Sequence, residues 1–75
     1  MIEFSLARPS HVHIDVFDVL GRKVSTVVDQ ELKAGTYSTF WDGTDDSGKE
    51  VASGVYFYRL RAGDHAETKK MVLLK

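Results

Sequence analysis

A histidine and carboxylate cluster near the N-terminus has residue types and spacing that could do chemistry. His11, His13 and Asp15 alternate along one predicted strand, which places three metal-ligating side chains on the same face. A metal site needs three or four converging ligands, and only His65 remains as a further histidine. We favour the simpler interpretation, in which this set is a polar face that points toward water.

A second cluster of oxygen ligands lies between residues 42 and 50. Aligned on Asp42, a calcium-binding EF-hand loop would need glycine at the sixth position and glutamate at the twelfth, where this chain has Ser47 and Ser53. Aspartates of this kind also hold tight turns by accepting hydrogen bonds from the backbone two residues on. We therefore predict a turn-forming loop and expect neither a metal nor another cofactor.

Catalytic and phosphate-binding motifs are missing from the sequence. None of its serines lies in a G-x-S-x-G elbow, and Gly43 and Gly48 lack the lysine and hydroxyl residue that follow a phosphate-binding loop. A core this small also leaves little volume for a substrate pocket. We predict that the protein is not an enzyme.

Length, charge and composition narrow the class further. Seventy-five residues make a single domain, and the absence of cysteine leaves its small core without disulfides. Ten basic and eleven acidic residues give a formal net charge of −1 without a long block of either sign, so we expect no nucleic-acid partner. No apolar run approaches the roughly 20 residues of a transmembrane helix.

Apolar residues recur with a period of two along most of the chain, which predicts strands. The alternating sets are Ile2, Phe4 and Leu6; Val12, Ile14 and Val16; Val24, Thr26 and Val28; Tyr37, Thr39 and Trp41; residues 55–62; and residues 65–74. Turns are predicted at Gly21, at Gly35 with a positive φ, at Asp42-Gly43, around Gly48 and at residues 62–64. The pattern predicts an all-β, antiparallel sandwich of six to seven strands.

The last two strands should form a hairpin with two different faces. Tyr56, Tyr58 and Leu60 are predicted to point inward, and Val55, Phe57, Arg59 and Arg61 outward. Aromatic and arginine side chains are enriched at protein interfaces, so the outward row is either an interaction surface or a face covered by a neighbouring domain or loop. Lys69 and Lys70 precede the aliphatic end of the last strand, where charges guard against edge-to-edge aggregation.

Several stretches, in this order and spacing, resemble a known family. "VFDVLGRKV", "AGTYSTFWDGTDDSGKEVASGVYFYRLRAGD" and "TKKMVLLK" resemble the C-terminal sorting domains of type IX secretion cargo, and also the related immunoglobulin-like (Ig-like) domain of the flagellar hook-capping protein. The resemblance covers nearly the whole chain. It implies a small Ig-like β-sandwich at the end of a larger secreted protein.

The resemblance also implies a function and a set of residues. The domain would direct its cargo through an outer-membrane translocon to the cell surface after passage through the periplasm, with the translocon or shuttle proteins and the cargo domain as partners. The residues that match sorting or interaction motifs are Gly54, Val55, Tyr56, Phe57, Arg59, Lys69, Lys70, Met71 and Val72. Those that match structural turns are Gly35, Trp41, Asp42, Gly43 and Gly48.

Two other functions stay open at this point. The domain could be a structural module that mediates protein–protein contacts, as in the hook cap, or an accessory carbohydrate-binding sandwich with Trp41, Tyr37 or Phe57 as an exposed platform. The sequence lacks the P-N-P element with which sorting domains usually open, and Pro9 comes too late to replace it. We interpret residues 1–75 as the C-terminal piece of a larger protein, with Met1 as an added start residue. We expect a monomer, with weak dimerisation through the terminal strand edge.

Overall fold

The computed structural model describes residues 2–74 and folds them into six antiparallel strands. They are β1 (Ile2–Leu6), β2 (Ser10–Phe17), β3 (Lys23–Leu32), β4 (Gly35–Thr39), β5 (Gly54–Ala62) and β6 (His65–Leu73). No helix occurs among the described residues, in agreement with the apolar period of two. Met1, for which the sequence analysis predicts an added start residue, lies outside them.

The strands form two sheets. β1 pairs with β4, while β3, β2, β5 and β6 form a four-stranded sheet in that order. The chain changes sheet after β1, after β3 and after β4, so strands that are distant in sequence meet in each sheet. This architecture confirms the predicted small, Ig-like antiparallel sandwich.

Alternate positions of three strands supply the core. Each of these side chains keeps less than a tenth of its surface exposed, and together they are Ile2, Phe4 and Leu6 of β1, Val12, Ile14 and Val16 of β2, and Tyr56 and Leu60 of β5. Burying one such side chain stabilises the fold by roughly 1.5–3 kcal/mol. In a chain without disulfides, these three rows must therefore supply most of the stability.

The β5–β6 hairpin forms as predicted. Ala62 pairs with His65, so Gly63 and Asp64 alone make the turn. Gly63 has φ +59°, a left-handed conformation that glycine adopts without strain and that two-residue hairpin turns require. The inward and outward rows of β5 follow the prediction, with Tyr56 and Leu60 buried and Val55 exposed.

The fourth strand is shorter than predicted. The alternation of Tyr37, Thr39 and Trp41 predicts a strand that reaches Asp42, but β4 ends at Thr39. The Trp41 ring instead packs edge-on against Tyr56, with ring centroids 4.9 Å apart. In the sequence, an aromatic residue that packs at the end of the core looks the same as one inside a strand. The alternation therefore predicts too long a strand.

A bulge in β3 breaks its alternation. The register with β2 shifts so that Val27 has no partner opposite it. Ser25 consequently lies on the inner face and is buried, whereas Thr26 lies on the outer face. The prediction that Val24, Thr26 and Val28 share one face is therefore wrong.

Candidate interaction surface

The outer face of the four-stranded sheet carries the outward row of β5. Val55, Arg59 and Arg61 are exposed, and Phe57 is half-buried. Their neighbours across the sheet belong to β2 on one side and to β6 on the other. The row therefore lies in the middle of a broad surface, with apolar residues at one end and charged residues at the other.

We call the first part of this surface the apolar end, formed by Phe17, Val19, Val55, Phe57 and Val72. Val55 is the register partner of Val72, and Phe57 is that of Phe17, so the four side chains adjoin in pairs on three neighbouring strands. Val72 is 59% exposed and Val19 is 67% exposed. Large apolar groups left in water at adjacent positions are typical of interaction sites.

The turn that presents Val19 is held rigidly by Asp18. The Asp18 carboxylate accepts hydrogen bonds from the backbone N–H groups of Leu20 and Arg22, at 2.9 and 3.0 Å. The Arg22 guanidinium donates a third bond of 3.0 Å. These bonds, led by the backbone bond from Arg22, lower the pKa of Asp18. The exposure of Val19 and Leu20 is thus a property of a well-formed turn.

Cationic groups border the apolar end. The Arg59 guanidinium carbon lies 5.3 Å from the centroid of the Phe17 ring, a distance typical of a cation–π contact. A shallow cleft of about 340 Å³ separates this pair from Val19 and is also lined by Thr68. Lys70 pairs with Phe57 across β5 and β6 and adds a second positive charge.

Asp15 corrects the prediction that the polar set of β2 points toward water. It belongs to the outer face, but it is only 4% exposed. Thr26 donates a hydrogen bond of 2.9 Å to its carboxylate, and the amino group of Lys23 and the guanidinium of Arg61 each come within 3.8 Å. Longer cationic side chains from the flanking strands cover the short Asp15 carboxylate. The periodicity of a strand does not predict such burial.

His13 joins the same network. Its Nδ1 lies 3.2 Å from an Arg61 guanidinium nitrogen, and its Nε2 lies 3.0 Å from the Asp15 carboxylate. Since a guanidinium can only donate, Nδ1 accepts and the ring proton is carried on Nε2, which donates to Asp15. Both ring nitrogens are thereby occupied in binding neighbours.

His11 makes separate contacts near the start of β2, with two carboxylates of the neighbouring edge strand β3. Its Nε2 lies 2.6 Å from the Asp29 carboxylate, and its Nδ1 lies 3.4 Å from that of Glu31. The hydrogen bond to Asp29 raises the pKa of His11 above its usual value. Among residues 2–74, no three histidine or carboxylate side chains are arranged to hold a metal.

The basic and aliphatic motif of β6 is divided between the two faces of the strand. Lys69 pairs with Tyr58 and Met71 with Tyr56, so both lie on the inner side, whereas Lys70 and Val72 lie on the outer side. Lys69 Nζ lies 3.3 Å from the Glu67 carboxylate. The hydrogen bond from Lys69 lowers the pKa of Glu67. The four residues therefore do not form one continuous contact surface.

The acidic loop is built from turns, as its aspartates predict. One oxygen of Asp45 accepts bonds from the N–H and hydroxyl of Ser47 and from the N–H of Lys49, at 2.7–3.0 Å. Asp42 accepts two bonds from Thr44 in the same way. The serine and threonine hydroxyls are the main cause of the lowered pKa of Asp45 and of Asp42. These carboxylates thus have their partners within the loop, where Gly43 and Gly48 supply positive φ angles.

Two tyrosines anchor the sandwich by bonding to backbone upstream of them, a geometry that the strand pattern does not predict. The Tyr37 hydroxyl donates to the carbonyl of Lys33, and the Tyr56 hydroxyl donates to that of Ala52, both at 2.6 Å. Each tyrosine follows a glycine by two residues, and Gly35 and Gly54 have φ angles of +152° and +153°. The repeated G-x-Y spacing was the available signal. Such a bond to upstream backbone is the tyrosine corner of Ig-like sandwiches.

Tyr56 therefore acts from inside the fold, and Gly54 begins the strand that carries it. Tyr56 is only 8% exposed, and it contacts Trp41 rather than solvent. The Trp41 indole also donates from Nε1 to the Thr44 carbonyl at 2.8 Å, which ties the acidic loop to the hairpin. Of the residues predicted for sorting or interaction, the structure places these two in supporting positions.

Comparison with known families agrees with this architecture. A family model described as the FlgD Ig-like domain matches residues 1–65. The chain belongs to the FlgD Ig-like domain family. No curated protein matches it, and no solved structure does so either.

Membership of the FlgD Ig-like domain family fits both the two-sheet architecture and the two tyrosine corners. It also accounts for the part of the resemblance that concerned the hook-capping protein. The match ends at the first residue of β6, so that strand lies outside the family match apart from His65. Within residues 2–74, no helix has the length and apolar character needed to cross a bilayer.

Proposed function

We propose that this domain is a structural Ig-like module that binds another protein through the apolar end of its four-stranded sheet. The observation that carries the proposal is the exposed pair of Val55 and Val72 beside Phe57, on the outer face of an ordered sheet. An ordered sheet presents such a surface without any cost of rearrangement. The proposal involves no catalysis.

The chemistry of the apolar end indicates the chemistry of its partner. Arg59 and Lys70 border the apolar residues, and the Asp15 carboxylate is already enclosed by cations. A complementary surface would place aliphatic or aromatic side chains over the valines and carboxylates opposite Arg59 and Lys70. We therefore expect the partner to have an acidic rim around an apolar centre.

Charge substitutions at the apolar end test this function. In the full-length protein produced in its own cells, V55D and V72D place a carboxylate in the contact, and we expect each to reduce the fraction found in a complex at least tenfold. Both side chains are exposed, so we expect each change to cost no more than about 1 kcal/mol of folding stability, mainly because aspartate is a poor strand residue. Size-exclusion chromatography of gently lysed cells measures the complex.

A matched control separates loss of contact from general damage. S38D adds the same charge to an exposed position of β4, on the other sheet. We expect S38D to leave the complex intact. Equal complex formation by V55D, V72D and S38D would contradict the proposed surface.

A second candidate is the sorting signal of type IX secretion cargo, with the protein secreted or attached to the cell surface. Three features support it: the sequence resemblance, the exposed β5–β6 hairpin, and Lys69 and Lys70 on an edge strand. In this function the translocon or a shuttle protein would read the hairpin, by its edge or by its outer face.

Deletion of residues 65–75 from the full-length protein tests the sorting function. We expect the deletion to leave the cargo in the periplasm, and fractionation with immunoblotting measures its distribution. Normal export of the shortened protein would contradict the sorting function. V55D and V72D in the same assay show whether export uses the apolar end.

The geometry gives little support to carbohydrate binding. The Tyr37 ring stacks on the buried Phe4, with centroids 5.4 Å apart, and Trp41 packs on Tyr56. Phe57 is half-buried. Tyr37 and Trp41 are thus each engaged in a ring contact within the fold.

A further inference from the structure

β6 is open to solvent on both faces, which is unusual for a strand of a sandwich. Its inward row is Met71 and Leu73, which are half-buried, and His65, Glu67 and Lys69, which are exposed. In the same sheet, β2 buries its inward row completely. The two-stranded sheet therefore covers the four-stranded sheet only in part and leaves the inner side of β6 open.

Two clefts follow the open strip between β1 and β6. One of about 530 Å³ lies beside Phe4, Leu6 and Leu60, and one of about 240 Å³ lies beside Ile2, Tyr58 and Met71. Both have β1 as one wall and β6 as the other, and they follow one another along β1. We call them together the β1–β6 groove.

The wall formed by β1 is an unpaired strand edge. β1 pairs with β4 on one side, and on the other side it pairs with none of the described strands. Alternate residues of such an edge direct their N–H and C=O groups away from the partner strand. The groove thus combines free backbone hydrogen-bonding groups with the half-buried side chains of Tyr58 and Met71, and an added strand uses both kinds of contact.

The charged residues that line the groove differ between its two ends. The end near the β5–β6 turn carries three carboxylates and one arginine beside a histidine, namely Glu3, Asp64, Glu67, Arg8 and His65. The other end carries Lys69, whose amino group lies 3.3 Å from the Glu67 carboxylate, so Glu3 and Asp64 are the carboxylates that keep the first end negative. β1 runs from the lysine end to the carboxylate end, since Ile2 lines the former cleft and Leu6 the latter.

We propose that the β1–β6 groove binds an extended segment of a partner protein, which adds to β1 as an antiparallel third strand of the small sheet. The segment would place apolar side chains at alternate positions over Leu60, Tyr58 and Met71. It would have a basic residue at its N-terminal end, near the carboxylates, and an acidic residue at its C-terminal end, near Lys69. This proposal rests on the proposed function as a protein-binding module and adds a second surface to it.

The shape of the groove selects a strand over other occupants. β1 contributes five residues, or about 17 Å at the usual strand rise, so a segment of five to seven residues fills its length. The unequal charges at the two ends favour one direction of the segment over the other. A second copy of the chain would offer its own β1 edge, Ile2–Leu6, whose one charged side chain is Glu3 and which lacks the basic residue expected opposite the carboxylates.

A tethered strand tests the groove without depending on affinity. The probe is Lys-Val-Thr-Val-Thr-Val-Glu, joined ahead of residue 2 by a four-residue glycine and serine turn, since a short tether gives an effective concentration near millimolar. We expect hydrogen exchange at the backbone amides of β1 to slow at least tenfold. We also expect the thermal midpoint to rise by about 5 °C. The same peptide added free should shift the NMR signals of Phe4, Leu60 and Met71.

Matched variants identify the contact. Exchanging the terminal lysine and glutamate of the probe should remove most of the protection, as should M71D on the groove wall. V55D, which alters the apolar end on the other face, should leave the protection unchanged. A failure of the groove proposal can therefore be distinguished from a failure of the proposed binding through the apolar end. The absence of protection in the tethered chain would overturn the proposal. In the chain without a probe, protection of the β1 amides that increases with protein concentration would show that a second copy occupies the groove. That result would overturn the proposal as well.

Discussion

At the scale of single residues, the polar side chains of the outer face are more organised than their spacing indicates. Asp15 alternates with buried aliphatic residues, as a solvent-facing residue should, yet Thr26 and His13 bond to it while Lys23 shields it. The periodicity of two fixes the face of the sheet on which a side chain lies. It does not show whether long side chains from neighbouring strands cover that face. The sequence could therefore predict the position of Asp15 but not its burial.

Removal of the Asp15 carboxylate should destabilise the domain. D15A deprives Thr26 and His13 of their acceptor and leaves two nearby cations without a counter-charge, so we expect a loss of about 2 kcal/mol in the free energy of unfolding. Chemical denaturation measures the loss. D29A removes an exposed carboxylate from the same face and should cost clearly less. Equal losses for the two variants would show that the network around Asp15 does not stabilise the fold.

The tyrosine corner of β5 should contribute one hydrogen bond. Y56F keeps the buried ring and removes only the hydroxyl that donates to Ala52, for an expected loss of about 1 kcal/mol. For a domain of this size, the thermal midpoint should fall by about 4–8 °C. The Tyr58 hydroxyl bonds to none of the described residues in the structure, so Y58F serves as the control and should leave the midpoint nearly unchanged. A similar fall in both variants would contradict the role of the corner.

The pair of His11 and Asp29 should make stability depend on pH. Because the hydrogen bond to Asp29 raises the folded-state pKa of His11 above its unfolded value, its contribution is complete below the unfolded pKa. That contribution is lost as the pH rises through the folded-state pKa. NMR titration of the His11 ring should give a pKa above the usual 6.5, and D29N should bring it back toward that value. An unchanged His11 titration in D29N would contradict this account.

At the scale of the strands, alternation predicts where the chain is extended and misleads where the chain leaves the sheet. β1, β2 and β5 follow their patterns because each has one buried face. β3 departs from its pattern through the bulge at Val27, and β4 ends before Trp41. Both departures depend on contacts with another part of the chain, and a local pattern contains no information about those contacts.

Hydrogen exchange should rank the strands of the large sheet. β2 is paired on both sides and has three fully buried side chains, whereas β6 is paired on one side only. We expect the slowest exchange at the amides of β2 and the fastest at those of β6 that point away from β5. NMR-detected exchange on the isolated chain measures both. Protection of the β6 edge equal to that of β2 would contradict the open edge described here.

At the scale of the whole molecule, the sequence predicted the sandwich and the outward row of β5, because both depend on the period of two. It could not predict that Tyr56 supports the hairpin from within, since its hydrogen-bond partner is fixed by the folded backbone. It also could not predict the β1–β6 groove, which exists because a two-stranded sheet lies over a four-stranded one. The family match supports the fold and a structural role.

Site-specific photocrosslinking shows whether the apolar end is a docking surface. A photoreactive amino acid is placed at position 55 or, as the control, at position 38 on the other sheet, in the full-length protein within its own cells. We predict one adduct of defined mass at position 55, lost when V72D is added, and none at position 38. Failure to obtain the adduct at position 55, or the same adduct from both positions, would contradict the claim.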